Sequence, residues 1–337
     1  MRFLLLVISL FLTGALVQVQ ASTLDDIRER GHVTCGVDEQ HFGFAYLNEM
    51  GKWQGFEVDY CRALAVAVFN DPLKAQFIPL NAQTRFTALQ QKQIDVLLRS
   101  TTWTFTRDSS LGLDYPGVTF YDQLGMLVHK SIGVDRLDAV KKGTVCVAAG
   151  TTTLETVREY VEKTKKDVKI KMFNSREGLN NFFFSGQCDL YAADQSALTA
   201  IVSISAPNPQ DYKFLKTTLS KEPLGPVVRD DDGEWYDIVK WLVYGLIEAE
   251  ERGITQANVD DMKQTNSRVV RFMLGQNSGL GKPLRLEEEW LANVIRVLGN
   301  YGEFFERNLG QASALKMERG LNALWHEGGL MYAMPIR

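Results

Sequence analysis

Two stretches of this chain follow one plan. RFTALQQKQIDVLLRS (85–100) and EGLNNFFFSGQCDLYAAD (177–194) each set a short helical segment before an apolar strand that ends in polar residues. Around the first, GHVTCGVD (31–38), AQFIPL (75–80) and IDVLL (94–98) read as strands, bounded by turn residues. Val58, Cys61, Leu64, Ala65 and Val68 keep helical spacing, a second helix is expected over 85–93, and NEMGKWQG reads as a hairpin tip. Around the second, strands are expected at 145–149, 168–173 and 188–194, with helices after the Gly-Thr turn at 150–153 and over 176–186. Parallel strands need a crossover connection, so strand–helix–strand alternation implies α/β lobes with helices on the sheet faces. Ligands of such sheets sit beyond the carboxyl ends of the strands. The stretch RSTTWTFTRD (99–108), read as a loop, and Asp194 both lie at such ends.

The rest of the chain bounds the setting. FLLLVISLFLTGALV (3–17) is a short apolar run at the N-terminus, followed by Val19 and Ala21 at the −3 and −1 positions of a signal-peptidase site. Residues 1–21 are therefore expected to be a cleaved leader that exports a soluble protein. The formal charge of −4 argues against nucleic acid as a partner, because that requires a basic footprint. The 4 cysteines, Cys35, Cys61, Cys146 and Cys188, show no metal-ligand spacing. In an oxidising compartment they read as two disulfides with three possible connectivities, and one pair in each half favours Cys35–Cys61 and Cys146–Cys188. From Glu222 the chain reads as a strand, a turn and a long amphipathic helix, with a mostly helical tail broken at GLGKPL.

The strand ends carry the chemistry. Ser100, Thr102 and Arg107 come from one half; Thr151, Thr152 and Asp194 come from the other. A guanidinium fork matches a carboxylate in two charge-assisted hydrogen bonds. Thr151 and Thr152 open a helix, whose free N–H groups also favour an anion. Asp194 offers the opposite charge. A compact ligand bearing a carboxylate and an ammonium meets all of these at once, and that ligand is an α-amino acid. Blander roles compete: an Arg107–Asp108 ion pair, Asp194 as helix cap, and hydroxyls that close turns.

CGVD, GKWQGFEVDYCRALAVAVF, IDVLLRSTTWTFTRD, CVAAGTTTLE, CDLYAADQSAL, SKEPLGPVV and NYGEFFERN carry a resemblance across nearly the whole mature chain. The chain resembles the periplasmic amino-acid-binding proteins that serve ABC importers, above all their general L-amino-acid-binding subfamily. The resemblance implies an α/β, two-lobed periplasmic-binding-protein fold of type II, hinged, each lobe a mainly parallel sheet flanked by helices. It implies lobe 1 from 22–122 plus 224–337 and lobe 2 from 123–223, with crossings near Tyr121–Met126 and Leu219–Gly225. By the family pattern Arg107 grips the α-carboxylate, Ser100 and Thr102 add donors, Thr152 with Thr151 reaches it from lobe 2, and Asp194 takes the ammonium. Asp38 joins the cleft, and Arg85 matches the arginine that reads the side chain in acidic-amino-acid binders. QHFGF after Asp38 departs from the family's Gly-Leu-Pro-Gly-Phe turn, so His41 or Phe42 is expected over the ligand. The implied partners are a free L-amino acid and a membrane permease with its ATPase, with a monomeric periplasmic protein, no cofactor and no metal. Two other classes compete on the same fold: a cyclohexadienyl dehydratase-like enzyme and a ligand sensor for a signalling receptor.

Overall fold

A computed structural model describes residues 22–38, 40–217 and 219–337, and the expected leader at 1–21 lies outside them. After a first helix, α1 (Thr23–Arg30), the unbroken run VTCGV forms β1 (Val33–Val37) with every residue buried, as a strand covered on both faces requires. A small antiparallel sheet follows, made of β2 (Gln40–His41), β3 (Ala45–Leu47) and β4 (Trp53–Gln54), and the NEMGKWQG stretch forms its outer turn. Gly55 closes it with φ 131°, where an added Cβ would meet the Phe44 carbonyl oxygen at 2.1 Å. That turn launches α2 (Phe56–Phe69) with Glu57 buried in its first turn.

The strands β5 (Ala75–Pro79) and β6 (Val96–Thr102), joined through α3 (Arg85–Gln90), lie parallel on either side of β1. Strand β6 runs farther than the apolar pattern predicts. Thr101 and Thr102 pair with Gly225 and Leu224 of a returning antiparallel strand, so the first part of the RSTTWTFTRD stretch is strand and not loop. Thr104 then caps α4 (Phe105–Ser110) by accepting the Arg107 N–H, so the last part is helix.

The chain leaves this sheet through β7 (Leu113–Asp114) and β8 (Phe120–Asp122) and enters the second sheet at β9 (Leu124–His129). There β10 (Lys142–Ala148), α5 (Thr152–Thr164), β11 (Asp167–Phe173), α6 (Arg176–Phe184), β12 (Leu190–Asp194), α7 (Gln195–Ser205) and β13 (Tyr212–Phe214) follow in turn. The strand order is β11-β10-β12-β9-β13, with β10 parallel to both neighbours. Strand β14 (Glu222–Arg229) then returns to the first sheet, whose order is β5-β1-β6-β14-β7 with β8 also on β14. Two lobes result, joined by a crossing at Gln123 and another just before Glu222.

Apolar clusters cover both faces of each sheet. The first lobe draws a large share of its core from the C-terminal helices α8 (Gly233–Glu251), α9 (Val259–Met262), α10 (Arg268–Met273), α11 (Trp290–Leu298) and α12 (Tyr301–Asn308). Trp235, Trp290, Tyr301 and Phe304 pack there with Phe56 and Tyr60. Beyond Asn308 the tail is irregular apart from short 3-10 turns, which corrects the expectation of a mostly helical end. Its polar side chains bind other backbone instead. Asn322 Oδ1 accepts the Tyr121 N–H at 2.6 Å and Asn322 Nδ2 donates to the Tyr121 carbonyl at 3.0 Å, which ties the tail to the crossing strand β8.

Cys35 is joined to Cys61 and Cys146 to Cys188, each with Cα atoms 6.1 Å apart. The first links β1 to α2 and the second links β10 to the approach to β12. Closing loops of this size restricts the unfolded chain by about 3–4 kcal/mol. Replacing Cys35 and Cys61 together by serine is therefore expected to lower the unfolding free energy by about 3 kcal/mol. Urea titration of the ligand-free protein checks this, and an unchanged midpoint would contradict it.

Candidate functional site

A cavity of about 360 Å³ lies between the lobes. Its first-lobe wall carries Asp38, His41, Arg85, Arg99, Ser100, Thr102 and Arg107. Its second-lobe wall carries Thr151, Thr152, Arg176 and Asp194. All nine ligand-site residues expected from the sequence thus meet around one space.

Arg107 sits one turn into α4 and its Nη1 donates to the Thr102 carbonyl at 2.9 Å. Arg85 opens α3, is 3% exposed, and reaches across the cleft to the Gly150 carbonyl at 3.4 Å. Both guanidinium groups lie over the Phe86 ring, at 4.8 Å for Arg85 and 5.3 Å for Arg107. Among the described residues neither has a carboxylate partner, and the Nε of Arg85 has no hydrogen-bond partner. Burial, with Arg99 and Arg107 close by, pulls the Arg85 pKa well below the usual arginine range. A desolvated cation without a counterion is costly, so this wall requires an anion.

The hinge side has the opposite character. Asp194 ends β12, where the N-cap position of α7 falls, yet its side chain caps nothing. Asp122 does that work by accepting the Ser196 N–H at 3.2 Å. Asp194 is left facing the cavity, and burial reinforced by Asp122 and Glu222 raises its pKa well above the carboxylate range. Burial likewise lifts Asp122 to about 6. Glu222, 2% exposed at the second crossing, accepts the Thr102 hydroxyl at 2.6 Å and the Thr152 hydroxyl at 3.1 Å on one oxygen. Those two hydroxyl protons are committed to Glu222. Beside them the second lobe offers the backbone N–H groups that open α5, where the Thr151 hydroxyl accepts the Leu154 N–H.

Asp38 ties the two walls of the cavity together. One of its oxygens takes Arg99 at 2.8 Å from its own lobe and Arg176 at 2.7 Å from the other. Gln83 and Asn174 form a second cross-cleft bond at 2.8 Å. His41 is buried and stacks on Phe44 with centroids 4.2 Å apart, and its Nδ1 lies 3.1 Å from the Ser100 hydroxyl. Burial, with Arg176 adding to it, draws His41 down to about 3, so it is neutral. Phe42 packs on Tyr46 instead of on the cavity. Beneath Ser100, whose backbone takes φ 42°, Glu57 accepts both its N–H and its hydroxyl. Arg99, Glu57, Arg176 and Glu222 escaped the sequence reading. Arg99 adjoins Ser100 and Glu222 is the third residue of SKEPLGPVV, but their partners are remote in the chain.

The chain matches the family of bacterial extracellular solute-binding proteins, family 3, over residues 33–251. It is 46% identical over 319 residues to the general L-amino acid-binding periplasmic protein AapJ of Rhizobium johnstonii, covering 94% of this chain and 93% of that protein. It is 42% identical over 319 residues to the glutamate/glutamine/aspartate/asparagine-binding protein BztA of Rhodobacter capsulatus, covering 94% of each. Its fold superposes with a TM-score of 0.91 on an ABC transporter periplasmic binding protein from Brucella ovis with glutathione bound, at 44% identity, covering 94% of this chain and 100% of that one.

Burial raises Glu57 from the usual 4.5 to about 7. Between those values the folded protein holds a proton that the unfolded chain has released, so stability falls as pH rises through the window. The loss is about 3 kcal/mol. Glu57→Gln is expected to remove that part of the slope, read from urea unfolding at pH 5 and pH 8. An identical slope in both proteins would contradict the assignment.

Proposed function

This chain belongs to the bacterial extracellular solute-binding proteins, family 3, and on that footing we propose that it captures L-amino acids in its interlobe cleft. One observation carries the reading: Arg107 and Asp194, each without a partner of opposite charge among the described residues, stand on opposite lobes of one cavity. A zwitterion supplies both missing partners. The α-carboxylate goes to Arg107 and the N–H groups at the start of α5, while the ammonium goes to Asp194. Ser100, held by Glu57, keeps the turn beside Arg107 in shape, and Thr102 and Thr152, held by Glu222, keep the two walls in register.

Arg85 and Arg99 form a second seat for an anion, which favours glutamate and aspartate and accommodates their amides. Lobe 1 comprises 22–122 plus the chain from β14 at Glu222 to 337, two residues more than the sequence assigned it, lobe 2 comprises the segment between, and they close about the two crossings. The closed form then delivers its cargo to a membrane permease with its ATPase, from a periplasmic monomer released by cleavage after Ala21. The reading is one of binding, with no bond broken. Micromolar capture needs only about −8 kcal/mol, within reach of one bidentate ion pair and an ammonium seat after ordering costs.

A second reading, capture of a larger derivative that keeps the same amino-acid end, is favoured by the 360 Å³ volume. A drug-sized ligand needs about 300 Å³ or more. Glutathione, bound in the Brucella ovis relative, presents the same ammonium and carboxylate pair.

Calorimetric titration with the twenty amino acids and glutathione tests both. Glutamate or aspartate is expected to bind at micromolar concentration or tighter. Arg107→Ala and Asp194→Asn are each expected to weaken that binding by at least about 100-fold, since each leaves a ligand charge buried without a partner. Unchanged affinity in either variant would refute its role.

A further inference from the structure

We propose that Arg176 is a specificity-determining residue that reads a ligand's side-chain carboxylate and does so only when the lobes close. The inference rests on the amino-acid reading above and extends it to a residue of the second lobe. Asp38 is fixed in the first lobe: its Oδ1 accepts the Gln40 N–H at 3.0 Å and its Oδ2 pairs with Arg99 at 2.8 Å. Arg99 is itself anchored, donating from Nε to the Leu80 carbonyl at 2.7 Å. The Asp38–Arg99 pair is therefore complete within one lobe. Arg176 arrives from the other lobe, at the first residue of α6, and adds a second guanidinium to the same Asp38 oxygen at 2.7 Å.

Closure thus brings positive charge to a place already neutral. Arg85 stands on the same cavity, buried and without a carboxylate partner among the described residues. Asp194 lies within electrostatic reach of Arg85 and Arg176, and once a zwitterion's ammonium is seated on it, three guanidinium groups are left to share Asp38. Like charges drawn together in a space stripped of water repel strongly. A neutral side chain leaves that surplus in place. A side-chain carboxylate removes it by accepting from Arg85, Arg99 and Arg176, two from the first lobe and one from the second. Of the three, only Arg176 moves relative to the ligand as the lobes close. A second negative charge on the ligand therefore favours closure beyond what the Asp38–Arg176 pair supplies. Asp38 holds the Arg176 head in the closed position so that the ligand meets a set fork, which is why a carboxylate and a guanidinium meet there across the cleft.

The test is calorimetric titration of the whole mature protein with L-glutamate, L-glutamine and L-leucine, in the wild type, Arg176→Gln and Arg176→Lys. Arg176→Gln is expected to weaken glutamate binding by about 100-fold while changing glutamine and leucine by less than about 5-fold, the size of one lost charge-assisted contact. Arg176→Lys, which keeps the charge and loses the fork, is expected to fall between. An equal loss for all three ligands would make Arg176 a closure latch alone and overturn the proposal, as would no loss for any. Both results leave amino-acid capture standing. Failure of the wild type to bind any of the three would instead overturn the amino-acid reading and this inference together.

Discussion

Unpartnered charge, split between two lobes, is the constraint on which this structure turns. Arg85 and Arg107 are buried on one wall of the cleft, Asp194 faces them from the other wall, and none of the three makes an ion pair among the described residues. Folding alone gains nothing from that arrangement, because a desolvated charge without a partner costs several kcal/mol. The cost becomes useful when a third body carries both opposite charges. Closure around such a body replaces its water shell with groups already aimed at it, and each contact gains strength as water leaves.

The fold is built to hold those charges apart and still let them meet. Arg107 and Asp194 follow strand ends of different sheets, and disulfides staple β1 to α2 and β10 to the approach to β12. Asp122 takes over the capping of α7, which leaves Asp194 free for the cavity. Glu222 takes a hydroxyl from each lobe on one oxygen, so the second crossing is tied to both walls at once. Asn322 fastens the C-terminal tail to β8 beside the first crossing. None of the described tail residues lines the cavity.

Local patterns carried much of this. The turn-bounded runs that become β1 and β12, and the helical spacing of α2, are properties of neighbouring residues, and they are legible without a structure. The resemblance named nine of the residues that line the cavity, and its motifs are short segments at strand ends. What stayed hidden depends on contacts between distant segments. Thr101 and Thr102 are strand because β14 returns to pair with them. Glu57 looks like an ordinary acidic residue in a helix's first turn until Ser100 is found above it. Arg176 reads as a surface helix residue until Asp38 is found opposite. His41, expected with Phe42 as a candidate to lie over the ligand, lines the cavity, stacks on Phe44 and reaches the Ser100 hydroxyl, whereas Phe42 packs on Tyr46 outside the cavity lining.

The most direct measurement is a crystal structure of the mature protein grown with L-glutamate. The account predicts the α-carboxylate on Arg107, the ammonium within hydrogen-bond distance of Asp194, and the side-chain carboxylate toward Arg85 and Arg99. Glutamate bound elsewhere, or seated in the cleft with its ammonium turned away from Asp194, would contradict it.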